Sequence, residues 1–246
     1  MVQLCLDSSI ALARWLGLNL RSLIAPGIKA VKDNWRPIVL IQFCFLIFVV
    51  LFYTVPSLQN LPDRIDAYKK SIGPLVFVVG MIWIVSIIIP EIAKKLTGLK
   101  GENLTWKDLI LRMAYFATIG ISINMLYDWM NVAIGNDVTP GTIAKKLAID
   151  QLIYSPFFSM PLATITFLYR DTNFSAEKSL AKLKQGEFWK RFFPLYATCI
   201  MYFGPVGIAM YSLPLGLTFP VAMAAQAAWG IIVVAVGSHK EAEPTL

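Results

Sequence analysis

Few side chains in this sequence have the chemistry for a functional site, and most are carboxylates set beside lysines. Asp150 follows Lys146 by four residues, the spacing at which two helix side chains share a face, and Gln151 adds an amide next to it. Residues 151–169 then carry no charge at all. Glu91 closes another apolar run, with Lys94 and Lys95 at i+3 and i+4. Asp128 stands inside a third run, beside Tyr127, Trp129 and Asn131. An ordinary helix-surface ion pair is the bland account of Glu91 and of Lys146 with Asp150. The functional account starts from cost. A carboxylate at the centre of a membrane helix costs roughly 2.5–3.5 kcal/mol on insertion scales, and such groups usually face a bundle interior or an aqueous path. A carboxylate pair or ring on such a path favours cations and makes conductance pH-sensitive.

Other chemistries lack their residues. His239 is the one histidine, and it sits in the polar tail. There is no Gly-rich phosphate loop, no H-E-x-x-H and no G-x-S-x-G. Cys5, Cys44 and Cys199 are odd in number and lack paired spacing, so they give neither a disulfide framework nor a metal motif and are expected to pack as small apolar groups. The expectation is a protein that is not an enzyme and that uses no cofactor or metal.

The elements that must position the carboxylates are membrane helices. Hydrophobic residues make up 57% of the 246 and charged residues only 15%, against about 25% charge in ordinary soluble domains. Mean hydropathy is +0.63. From Phe192 to Ser238 no charged residue or histidine occurs. At about 1.5 Å per residue that stretch is too long for one crossing of a roughly 30 Å hydrocarbon core, and right for two. The apolar runs are continuous rather than alternating, which argues against a barrel. Six helical spans follow: Ile38 to about Val55, Pro74 to Pro90, about Met113 to Ile134, Thr142 to Tyr169, about Phe192 to Leu213, and about Pro214 to Val236. Pro214-Leu215-Gly216 supplies the turn between the last two.

Charge outside the spans gives the orientation. Of the 22 Lys and Arg, 17 fall in the N-terminal segment, residues 91–112, residues 170–191 and the tail, and five in residues 57–73 and 135–149. Six spans place those groups on opposite sides, with both termini on the cytoplasmic or matrix side. The net charge of +7 is thereby assigned to topology and to anionic lipid headgroups, not to nucleic acid. Residues 8–32 carry Arg14, Arg21, Lys29 and Lys32 among apolar side chains without an acid. They read as an amphipathic interfacial helix or a presequence-like segment, the former slightly favoured. Trp35, Trp83, Trp106, Trp129, Trp189 and Trp229 read as an interfacial belt. Prolines within spans four to six, Pro156 among them, are expected to kink helices and free carbonyls.

Residues 145–156, KKLAIDQLIYSP, resemble the K-x-x-x-D-Q-x-x-x-x-P signature of the Mpv-seventeen/peroxisomal-membrane-protein-twenty-two family, with Lys146, Asp150, Gln151 and Pro156 matching. AYKKSIGP is similar to the family's opening element, through Tyr68, Ile72 and Pro74. Pro90-Glu91 keeps only the acidic character of a Gly-Asp pair, Asp108 and Arg112 resemble an acid-then-Arg element, and GISINMLY keeps Gly120 and Tyr127. Pro214 and Trp229 have the spacing of the closing Pro and Trp, but Thr218 stands where an Arg is expected and the Asn-Phe pair is not clear. The resemblance spans about residues 65–237. It implies a multispan helical protein of mitochondrial inner or peroxisomal membranes (a cytoplasmic membrane in a bacterium), with a channel-like role for small metabolites.

The resulting expectation is an all-α polytopic transmembrane bundle of about six spans. Residues 1–60 form an N-terminal extension with the first span, and residues 61–246 the family-like domain. Function is expected as a channel or pore for small solutes, a homo-oligomer being compatible with it, lined or gated by Lys146, Asp150, Gln151, Asp128 and Glu91 and shaped by Pro74, Pro156, Pro214 and Gly120. The alternative is a non-conducting scaffold in which the same polar groups knit helices together.

Overall fold

The computed structural model describes residues 20–98, 104–212 and 215–237, which are almost wholly helical. Pro214, Cys5 and His239 lie outside the described residues. Among the described residues five helices are long and apolar enough to cross a membrane: α2 (Trp35–Thr54), α5 (Pro74–Leu96), α6 (Trp106–Ala133), α7 (Pro140–Asp171) and α9 (Glu187–Tyr211). Shorter helices fill the connections: α1 (Leu20–Asp33), α3 (Pro56–Gln59), α4 (Leu61–Ile72) and α8 (Ala176–Lys184). The last helix, α10 (Leu215–Gly237), contains a shorter apolar stretch, Val221–Gly237.

Helix starts follow local chemistry. Thr105 caps α6 by accepting from the Asp108 amide at 3.2 Å. Thr139 caps α7 by accepting from the Thr142 amide at 3.3 Å, with Pro140 in the first turn, where a missing N–H costs nothing. Pro74 opens α5 in the same way, just after Gly73 at φ +93°, a left-handed backbone that favours glycine.

The core is built around α10. Ala227, Ala228, Ile231, Ile232 and Val233 are each no more than 1% exposed, and the helix touches α1, α2, α5, α7 and α9. A helix apolar all round is buried all round. Small residues set how close it comes: a Cβ on Gly230 would lie 2.9 Å from the backbone oxygen of Ser86 in α5. Gly120 of α6 has the same role, its would-be Cβ lying 3.1 Å from Ile82 of α5.

Two membrane helices widen into π turns, Ile84–Ile88 in α5 and Asp150–Ser159 in α7. Each has a proline: Pro90 follows the first, and Pro156 lies within the second. In a π helix the N–H of residue 156 would bond the oxygen of residue 151, and proline has no N–H to give. The Gln151 oxygen so freed accepts the Tyr196 hydroxyl of α9 at 2.9 Å. Proline thus exchanges a local hydrogen bond for one between helices.

The described part of the basic N-terminal segment, α1, packs along α9, where a Cβ on Gly27 would strike Thr198; residues 8–19 lie outside the described residues. Two expectations are corrected, both for tryptophans. Trp229 is not in an aromatic belt: it is buried, stacked on Tyr202 and edge-on to Phe203. Trp83 is half-buried and donates Nε1 to the Met113 oxygen at 2.8 Å. Trp35, Trp106, Trp129 and Trp189 are exposed, as a belt requires.

Candidate functional site: the polar stripe of α7 and its pocket

One face of α7 is polar and buried from Thr142 to Ser159. Thr142, Lys146 and Asp150 repeat every four residues, one turn of α helix. Across the π segment the stripe continues through Gln151, Ser155 and Ser159; all six are buried. The wider π turn carries the stripe from Asp150 to Ser155, five residues on, which α geometry would rotate off the face. Cys199 of α9 covers Ser155, with Sγ 3.8 Å from Oγ. Cys199 is buried as a packing cysteine should be, whereas Cys44 is exposed on α2.

The stripe opens at the α7 N-terminus into a cavity of about 90 Å³, walled by Tyr127, Asn131, Asp137, Thr142, Lys146 and Tyr211 among others. Asn131 and Tyr127 come from the end of α6, Tyr211 from the end of α9, and Asp137 from the loop entering α7. The Lys146 ammonium donates to Asn131 Oδ1 at 2.8 Å. Asp137 accepts the Thr139 hydroxyl at 2.7 Å and the Thr142 hydroxyl at 2.9 and 3.0 Å. Those hydroxyl bonds, which favour the charged form, hold the Asp137 carboxyl below the usual carboxylate range. Lys146 adds a smaller pull in the same direction.

Asp150 lies just below. Its Oδ2 accepts from Gln151 Nε2 at 3.3 Å. The Tyr211 hydroxyl approaches both Asp150 and Tyr127, yet no contact it makes reaches hydrogen-bonding geometry. Gln151 Oε1 is also buried without a partner. Nearby, Ser122 of α6 and Tyr154 of α7 share a hydrogen bond of 2.7 Å.

The expected residues therefore divide. Lys146, Asp150 and Gln151 share the stripe, but the intrahelical Lys146–Asp150 pair does not form, because Asn131 holds the lysine across the helix interface. Asp128 is exposed on α6, accepting from Asn124 at 3.0 Å, away from the cavity wall. Glu91 pairs with Lys94 at 3.3 Å near the end of α5 and stands apart from the stripe. Pro156 shapes the stripe through its π turn, while Pro74 and Gly120 act on α5 and its packing. Asp137, Asn131 and Tyr211 were not among the expected lining residues. The available signal was short-range: D-x-T-P-G-T at residues 137–142 is a capping sequence whose hydroxyls must bond nearby acceptors.

At the other end of α7 the arginines gather. Arg191, 4% exposed, donates Nη1 to Asp171 Oδ2 and to the Gly237 oxygen, tying α7, α9 and α10 together. Arg170 pairs with Asp171 at 3.2 Å and with Asp108 of α6 at 3.9 Å.

Compared with family models, curated proteins and solved structures, the chain matches none.

Proposed function

We propose that this integral membrane protein conducts small polar solutes along the polar face of α7. One observation carries the reading: a membrane-length helix keeps six polar side chains buried along one face, from a cavity at one end toward the bundle's middle. Ionisable groups at membrane depth are costly, and where they persist they mark solute and ion paths. The signature-like residues Lys146, Asp150, Gln151 and Pro156 all act on this stripe, so the family resemblance supports the same reading, as it does a mitochondrial inner or peroxisomal membrane. In this reading α10 is the sixth span, and the basic arginine end of α7 faces the matrix or cytoplasm.

The test is flux. Full-length protein in liposomes is expected to pass small polar solutes with a size limit, and Asp150→Asn to alter rate or selectivity while folding is kept. Folded protein in sealed liposomes with no flux would sink the proposal.

The scaffold reading has its own support in three hydrogen bonds between helices: Tyr196 to the Gln151 oxygen, Tyr202 to the Ala225 oxygen at 2.8 Å, and Trp83 to the Met113 oxygen. Under it Asp150→Asn lowers folding yield and flux is absent in every variant.

A further inference from the structure

We infer that the cavity at the α7 N-terminus binds a small zwitterion, its carboxylate on Lys146 and its ammonium on Asp137. This rests on the solute-conducting reading and names its solute class.

The argument begins with two opposite charges that line one cavity without forming an ion pair. Lys146 is buried, and its one hydrogen-bond partner is the neutral amide oxygen of Asn131. An ammonium has three donors, so two remain for an acceptor in the cavity. A buried cation is ordinarily satisfied by a negative partner, and none touches this one. Asp137 takes two hydroxyl protons, that of Thr139 on Oδ2 and that of Thr142 shared between both oxygens, which have about four acceptor positions between them. Acceptor capacity therefore remains at the solvent-facing rim, where an incoming ammonium would meet it.

Simple ions fit less well. An anion on Lys146 would face the Asp137 carboxylate across the cavity and Asp150 beneath. A cation at Asp137 would face Lys146. A solute with both charges satisfies both walls. The size agrees, because about 90 Å³ holds a few heavy atoms and is well below the roughly 300 Å³ lower bound of pockets for drug-sized ligands. The Tyr211 hydroxyl, buried without a hydrogen bond at the cavity's inner wall, offers a further polar contact.

Glycine serves as probe, with acetate and methylammonium as its two halves. Equilibrium binding is measured on the full chain in detergent micelles, so the result does not depend on conduction. Saturable glycine binding is expected, with each half-molecule weaker by about tenfold or more, the scale of one lost charge-assisted contact. Lys146→Met should abolish glycine binding. Asp137→Asn should weaken glycine by about tenfold and leave acetate as tight or tighter. If Lys146→Met does not fold, the exposed Asp137→Asn change decides the matter. Acetate binding as tightly as glycine with Asp137→Asn indifferent overturns the inference in favour of a carboxylate site, and absence of saturable glycine binding overturns it outright. Glycine bound in micelles without flux in liposomes would refute conduction alone; flux without bound glycine would refute the zwitterion site alone.

Discussion

Tyr196 of α9 donates its hydroxyl to the backbone oxygen of Gln151 at 2.9 Å, in the π segment of α7 that holds the buried polar stripe. The carbonyl is available because Pro156 has no N–H to return to it, so a side chain on one span completes the backbone of the next. Tyr196→Phe removes the donor and with it this bond between the two helices. The expected loss is about 0.6 kcal/mol, the average for hydrogen bonds between membrane helices, and at most about 1.7 kcal/mol. Unfolding in micelles measures it, and a variant as stable as the parent would show that the bond contributes nothing net.

Close approach of α10 to α5 gives a sharper contrast. Gly230→Ala would put a methyl 2.9 Å from the Ser86 oxygen, a backbone atom that cannot swing aside. A cost of roughly 1–3 kcal/mol is expected for such overpacking. Gly204→Ala in α9 meets nothing within 4 Å and should leave stability unchanged or slightly raised through helix propensity. Equal melting temperatures for the two variants would refute the packing of α10 described above.

Two neighbouring cations on α9 separate buried from exposed pairing. Arg191 is buried with Asp171, whereas the Lys190 side chain, 69% exposed, pairs with Glu187 at 2.8 Å. Arg191→Met should destabilise by about 3 kcal/mol, the lower end for breaking a buried pair, since Arg170 still reaches Asp171. Lys190→Met should cost under about 1 kcal/mol. The comparison is read from chemical denaturation of the two variants side by side.

Asp137 predicts an acid limb. Its pKa is lowered in the folded protein by the Thr139 and Thr142 hydroxyls, so the carboxylate form contributes stability that is complete above its unfolded value, about 3.9, and fades as pH falls through the lower folded one. Thr142→Val removes a donor from both oxygens. The Asp137 titration, followed by carboxyl-selective NMR, should then move up toward the ordinary range. An unmoved titration would mean that the hydroxyls do not set it.

The sequence alone determined that this chain is helical and membrane-sized, because continuous apolar runs of span length allow few other solutions. It also marked Lys146, Asp150, Gln151 and Pro156, since charge and proline are rare enough in such runs to be visible without a structure. What it left open was direction. Lys146 and Asp150 stand four residues apart and read as a pair, but the lysine is held by Asn131, fifteen residues earlier on α6, and the aspartate lies with Gln151 and Tyr211. Asp128 has the same local signature as Asp150 yet lies exposed. Trp229 has the spacing of a belt residue yet is buried against Tyr202. Sequence periodicity says which side chains share a helix face. Which helix covers that face is decided by how the spans pack, through contacts between residues far apart in the chain, and those only the tertiary structure supplied.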